Sequence, residues 1–268
     1  MGQDLSPNSI YDIMCLLLFS FNKHPDYPLI MAANRDEYLE RPTEAASFWH
    51  DCPSILAGRD LRKGGTWMGV NKDGRIAAVT NYREPSQYKP DAISRGALVS
   101  DYLQGNESAE DYIQNVMLQS HTYDEFNLLV GDKQSLLFYC SVEDDYQTLL
   151  PGLYGISNGK LDSPWPKIEI GKVALEKVTP PSEKPEAEKL FELLADKTIA
   201  ADQELPSTGV SLDWERRLSP RFVHFDGYGT RSSTVLLIDK QGEVFFSERS
   251  FDNKGEVIDT CSYDFIID

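Results

Sequence analysis

Cysteine is scarce in this chain, four in 268 residues (Cys15, Cys52, Cys140 and Cys261), with no C-x-x-C pair and no finger spacing. Thiols this far apart exclude a small disulfide framework and point to reduced cysteines in a cytoplasmic compartment. Histidine is equally sparse, with no H-x-H or H-x-x-x-H. A metal centre would need unrelated segments to converge, so neither metal nor cofactor is expected. No apolar run approaches the roughly 20 residues that cross a bilayer; the longest, Cys15 to Phe21, is seven residues and contains a serine. A membrane-spanning helix is excluded. The chain also lacks the G-x-S-x-G elbow of serine hydrolases and the G-x-x-x-x-G-K-[ST] phosphate loop. Its glycine-rich stretch, Gly58–Gly69, leads into a strand-like run instead of a helix.

Positive charge is short as well, 26 Lys and Arg against 43 Asp and Glu, a net of −17. Such a surface repels phosphate backbones and anionic lipid, which argues against nucleic acid as a partner. The deficit is uneven. Residues 1–90 carry 10 basic and 11 acidic groups, whereas residues 91–268 carry 16 and 32. The first third, nearly neutral and holding six of the twelve arginines, is therefore where a small anion would be met most readily. With 41% apolar and 26% charged residues, a substantial core is available.

Residues 1–13, MGQDLSPNSIYDI, contain no Lys or Arg and so lack the positive region of a secretory signal. Gly2 and Ser6 fit the N-myristoylation pattern, although a leader ahead of an internal start is the simpler reading. If the chain begins at Met14, removal of that methionine leaves Cys15 with a free amino group. Residues 14–268 read as a single domain.

Apolar, β-rich runs recur at Cys15–Phe21, Tyr27–Ala33, Thr66–Val70, Ile76–Thr80, Phe126–Val130, Ser135–Ser141, Leu153–Ser157, Ser233–Ile238, Glu243–Ser247 and Val257–Ile267. Turns at Asp73-Gly74 and Gln241-Gly242 imply antiparallel hairpins. Helical pattern is confined to the middle: a helix opened by Ser108, another from Pro166 to Val178, and a third opened by Pro185. Strands, then helices, then strands is an α+β order, in which two antiparallel sheets stack with helices outside.

Three strand-like runs end in asparagine, at Asn34, Asn81 and Asn158. Singly, each reads as turn chemistry. Together, with Arg35 and Arg83 close behind, they suggest a polar cluster at one sheet edge. Asn34-Arg35-Asp36-Glu37 is either a solvated charged turn or part of that cluster. Cys15 is either an inert core residue or a nucleophile. An α-amino group, with a pKa of about 8, could take its thiol proton without any histidine.

Met14-Cys15, Ala33-Asn-Arg-Asp-Glu37, Gly65-Thr-Trp-Met-Gly-Val-Asn71 and Thr80-Asn-Tyr-Arg83 together resemble the NRDE family, which includes the transport and Golgi organisation protein 2 homologues. Tyr154-Gly-Ile-Ser-Asn158, Trp165-Pro-Lys167 and Tyr228-Gly-Thr-Arg-Ser-Ser-Thr234 extend the likeness over residues 14–268. The family is in turn similar to N-terminal-nucleophile hydrolases of the choloylglycine hydrolase and penicillin V acylase branch. That resemblance implies a four-layer αββα sandwich. It makes Cys15 the nucleophile beside Arg35 and Asp36, with Asn81 in the oxyanion hole. Asn158 would hold the α-amino group and Arg231 would steady the cluster. Asn34, Glu37, Trp67 and Arg83 become the expected substrate contacts. The acylases carry Asp three residues after the arginine, where this chain has Tyr38, so Asp36 or Glu37 must substitute.

Two functions follow as expectations. One is a cysteine amidohydrolase or acyl-transfer enzyme acting on a small non-peptide amide, ester or thioester. The other is a non-catalytic carrier of an amphipathic anion such as a lipid, acyl-CoA or haem.

Overall fold

The computed structural model describes residues 14–83, 89 and 91–268. Residues 1–13, with the leader and lipidation pattern read there, lie outside them. Two antiparallel sheets organise the chain. The first runs in the order β10 (Gly152–Ile156), β1 (Met14–Phe21), β2 (Leu29–Tyr38), β12 (Tyr228–Ile238), β13 (Glu243–Phe251), β14 (Val257–Ile266), with the short β11 (His224–Phe225) on β12. The second follows chain order: β3 (Thr43–Phe48), β4 (Ile55–Asp60), β5 (Met68–Asn71), β6 (Ile76–Asn81), β7 (Phe126–Gly131), β8 (Leu136–Cys140) and β9 (Asp145–Thr148).

The apolar runs of β1 and β2 do not alternate because both faces of these central strands are covered. Cys15, Leu17, Phe19, Met31 and Ala33 enter the core between the sheets, beside Leu56, Val70, Leu128 and Phe138 of the second sheet. Leu16, Leu18, Ile30 and Ala32 point the other way, onto α3 (Pro166–Val178) and α4 (Ala187–Leu194) through Ile168, Leu175, Leu190 and Leu194. Each fully buried leucine contributes about 1.5–3 kcal/mol. Helices α1 (Gly96–Gln104) and α2 (Ala109–Gln119) cover the second sheet, α1 over β5 and β6, α2 over β8. The layers are therefore α, β, β, α, as the order of elements implied. Among the described residues no helix is long and apolar enough to cross a membrane.

Local chemistry explains the boundaries. Ser108 caps α2 by accepting from the Asp111 amide, and Pro166 occupies the first position of α3, where its missing N–H is not needed. Gly74 turns the β5–β6 hairpin at φ 81° and Gly242 the β12–β13 hairpin at φ 90°, backbone conformations that favour glycine.

Helices are not confined to the middle of the chain. A further helix, α5 (Leu212–Leu218), lies late, and α1 was also unanticipated. The cap residue of α1, Arg95, makes no side-chain cap, so no N-cap signal marks the start in sequence. Strands β3, β4 and β9 were likewise not marked. Half of the run Thr43–Phe48 is polar and only Ala46 is buried.

Candidate active site

Cys15 stands opposite Arg35 in the antiparallel register of β1 and β2, at the end of the strand pair where Met14 meets Asp36. Beside it lies a cavity of about 660 Å³ between the sheets, walled by Arg35, Glu37, Trp67, Val79, Asn81, Arg231 and Glu248. Arg62, Lys63, Arg95 and Gly96 also line it. The Gly64-Gly65 bend matters here. A side chain at Gly65 would lie 2.6 Å from the backbone of Gly96, so only glycine lets this loop meet the start of α1.

The thiol of Cys15 is fully buried and does not line the cavity; the two adjoin through Arg35. Burial pushes the thiol far up from its ordinary value, and the Asp36 charge adds to this, with Arg35 opposing. In this form the cysteine is an unreactive thiol.

Asn81 ends β6, and its side-chain nitrogen is buried with no hydrogen-bond partner among the described residues. Such a group in a native protein calls for an explanation, and a catalytic donor is one. Its backbone carbonyl accepts from Asn158 Nδ2 at 2.9 Å. Next to Asn158, Ser157 Oγ donates to the Cys15 carbonyl at 2.8 Å and lies 3.1 Å from Asn158 Oδ1. Cys15, Ser157, Asn158 and Asn81 thus form one bonded chain across the two sheets. Thr80 and Asn127 brace it, bonding the Ser157 and Gly159 carbonyls.

Arg35 reaches Glu37 at 3.3 Å, and Glu37, fully buried, also meets Arg41 at 3.4 Å. Arg231 sits in the irregularity between Thr230 and Ser232, where the register of β12 against β2 shifts. Its guanidinium donates to the carbonyls of Tyr38, Leu39 and Arg41, clipping the turn after β2. Burial, with Arg35 nearby, lowers its pKa. Asp36 accepts from Thr230 Oγ1 at 2.7 Å, while its other carboxylate oxygen is buried without a partner among the described residues.

Two expected substrate contacts stand elsewhere. Asn34 lies on the opposite face of β2, away from the cavity. It donates to the Leu194 and Arg221 carbonyls and accepts from Ser233, tying the sheet to the end of α4. Arg83 forms a buried pair with Glu215 of α5 at 2.9 Å, both side chains under 7% exposed, and stacks 5.1 Å over Trp165. Breaking a buried pair strands a charge, so Glu215→Ala is expected to lower stability by about 3–5 kcal/mol in urea unfolding. A change below about 1 kcal/mol would class the pair with surface ion pairs.

Glu248 and Lys167 were not singled out from sequence. Lys167 lay in the Trp165-Pro-Lys167 run; Glu248 lies just beyond the apolar run Glu243–Ser247, in the polar stretch Ser247-Glu-Arg-Ser250, which carries no signal of burial. Glu248 is buried in the cavity wall and accepts from the Ala46 amide at 2.8 Å and from Thr234. Burial raises its pKa. Its protonated form is therefore favoured on folding: this stability is fully present below the ordinary glutamate value of about 4.3 and lost as pH rises through the folded value. Glu248→Gln, which stays neutral, should flatten the decline in melting temperature between the ordinary glutamate value and the folded one. An undiminished decline would exclude Glu248 as its source.

Comparison with known proteins places the chain in a family. The family model for Transport and Golgi organisation 2 matches residues 14–253. The Transport and Golgi organization 2 homolog of Mus musculus is 34% identical over 275 residues, covering 95% of this chain and 99% of that protein. The Homo sapiens homolog is 34% identical over 261 residues, covering 90% and 94%. Among solved structures, a Caenorhabditis elegans ortholog of N-acylethanolamine-hydrolyzing acid amidase aligns with a TM-score of 0.43 at 7% identity, covering 83% of this chain and 92% of that one. A mutant conjugated bile acid hydrolase from Clostridium perfringens aligns at 0.42 and 8%, covering 95% and 85%. By its family model and these relatives, the chain belongs to the Transport and Golgi organisation 2 family.

Proposed function

We propose that the protein is an N-terminal-cysteine acyl hydrolase or acyl-transfer enzyme of the cytoplasm, acting on a small non-peptide amide, ester or thioester once Cys15 is the first residue. The observation that carries this reading is the buried, unpartnered amide nitrogen of Asn81 at the wall of a cavity adjoining Cys15. The freed α-amino group takes the thiol proton as sulfur attacks the substrate carbonyl, and Asn81 donates to the oxyanion. Collapse of the intermediate expels the leaving group, which takes the proton from the α-ammonium and leaves a thioester on Cys15. Water then loses a proton to the amine and attacks the thioester, releasing the acid and restoring the thiol. The 660 Å³ cavity accommodates a small acyl compound and not a folded polypeptide.

The test is pre-steady-state kinetics on the chain started at Met14 and processed to Cys15, beside the full chain, with chromogenic short-chain acyl esters and thioesters. A burst of about one leaving group per processed chain, and none from the full chain, supports the reading. No burst from either contradicts it.

The second reading, a carrier of an amphipathic anion such as a lipid, acyl-CoA or haem, draws on the mixed wall of the same cavity, with Arg35, Arg62 and Lys63 beside Trp67, Val79 and Phe251. Fatty-acid binding that survives Cys15→Ala but collapses when Arg35 and Arg62 are both replaced would favour it. Equal affinity in the two variants would count against it.

A further inference from the structure

Strand β10 stops pairing with β1 just short of Cys15. The last opposed pair is Leu17 with Ile156; continuing the register would set Ser157 against Leu16 and Asn158 against Cys15. The chain turns to the other sheet instead. The Ser157 carbonyl accepts from Thr80 Oγ1 at 2.6 Å, and the Asn158 carbonyl from the Arg83 amide at 2.8 Å. Asn127 Nδ2 steadies this crossing, donating to Thr80 Oγ1 at 3.1 Å and to the Gly159 carbonyl at 2.8 Å. The side chain of Ser157, fully buried, reaches back to β1 and donates to the Cys15 carbonyl at 2.8 Å. Asn158 Oδ1 lies farther from the same hydroxyl, at 3.1 Å, and a hydroxyl has one proton to give. Ser157 therefore joins the strand of Cys15 in one sheet to the end of the Asn81 strand in the other.

We propose that Ser157 is a positioning residue, whose hydroxyl bond to the Cys15 carbonyl holds Cys15 at a fixed reach from the Asn81 amide. The kinetic consequence rests on the catalytic reading above; the bond does not. Once the chain begins at Cys15, nothing precedes that residue to anchor it. Its place then depends on Arg35, opposite it on β2, and on Ser157 from the β10 side. Removing the hydroxyl leaves a buried carbonyl without this donor and lets the first residue of β1 shift. A nucleophile displaced by about 1 Å can lose a hundredfold in rate while the substrate still binds.

Carbonyl-carbon NMR of the processed chain, labelled at its cysteines, reads the bond without any substrate. In Ser157→Ala the Cys15 signal should move upfield while those of Cys52, Cys140 and Cys261 hold. Ser157→Thr, which keeps the hydroxyl, should return it. Ser247→Ala is the comparison: Ser247 Oγ donates to the Cys261 carbonyl at 3.0 Å, so there the Cys261 signal should move and turnover should not change. In acyl-release kinetics Ser157→Ala should lower kcat by about tenfold to a hundredfold with KM little changed, and Ser157→Thr should recover it. A purely structural serine would lower the melting temperature and leave kcat per folded chain intact. A Cys15 signal that stays in place, or an unchanged kcat in a Ser157→Ala chain whose signal has moved, overturns the proposal. If Ser157→Ala does not fold, Ser157→Val beside Ser157→Thr, similar in size and different in the hydroxyl, makes the same comparison. A parent without turnover removes the catalytic reading, and the Cys15 signal then decides alone whether Ser157 holds that residue.

Discussion

Cys15→Ala in the chain started at Met14 is expected to lower acyl release by roughly a millionfold, the scale on which a protease loses activity with its nucleophile. The melting temperature should move little. Removing a buried sulfur atom leaves a small cavity at the start of β1, and the strand keeps its pairings with Arg35 and its neighbours. Cys140→Ala provides the control, since Cys140 is equally buried in the core but stands on β8 among apolar neighbours. Turnover in that variant should match the parent. Equal loss in both would mean that thiol removal acts through packing and that Cys15 has no chemical role.

Asn81→Asp is the second large effect. The amide nitrogen that now lacks a partner would become an oxygen, placing a carboxylate against the charge that develops on the substrate. Losing one oxyanion donor lowers kcat by about a hundredfold to a thousandfold. Fold should survive, because Asn158 bonds the backbone carbonyl of Asn81 and not its side chain. The measurements are a thermal melt and acyl-release kinetics beside the parent. Unchanged turnover with an unchanged melt removes Asn81 from the site. A collapsed melt would assign it to the scaffold.

What could be read from sequence was what is local. The apolar run Cys15–Phe21 and its partner strand are continuous because both faces are buried, and α3 and the Ser108-capped helix carry their own start signals. The asparagines that close apolar runs were visible for the same reason, although Asn34 lies inside β2, which continues to Tyr38. Their fates were not. Asn34 and Asn81 look alike in sequence, yet one donates its side-chain amide to the Leu194 and Arg221 carbonyls and the other has a side-chain nitrogen with no partner among the described residues. The difference depends on which face of its strand each residue takes, and on partners as many as 187 positions away.

The same holds for the charges. Arg83 was read as a ligand contact because it follows Asn81, but Glu215 satisfies it from 132 residues further on. Glu248 meets the Ala46 amide across 202 residues. Lys167 finds its acceptor, the Leu218 carbonyl, 51 residues further on. Such relations come from the docking of the layers, which no periodicity or spacing in the chain encodes.

The central claim is that Cys15, freed at its amino group, forms the covalent intermediate. Peptide-mapped mass spectrometry of the Met14-start protein, quenched in acid during turnover of an acyl ester, tests it most directly. The account predicts one acyl group per processed chain, located on Cys15, absent from the full-length chain and lost from Asn81→Asp quenched at the same time. Turnover with no acyl group on Cys15, or an adduct on another residue, would contradict it.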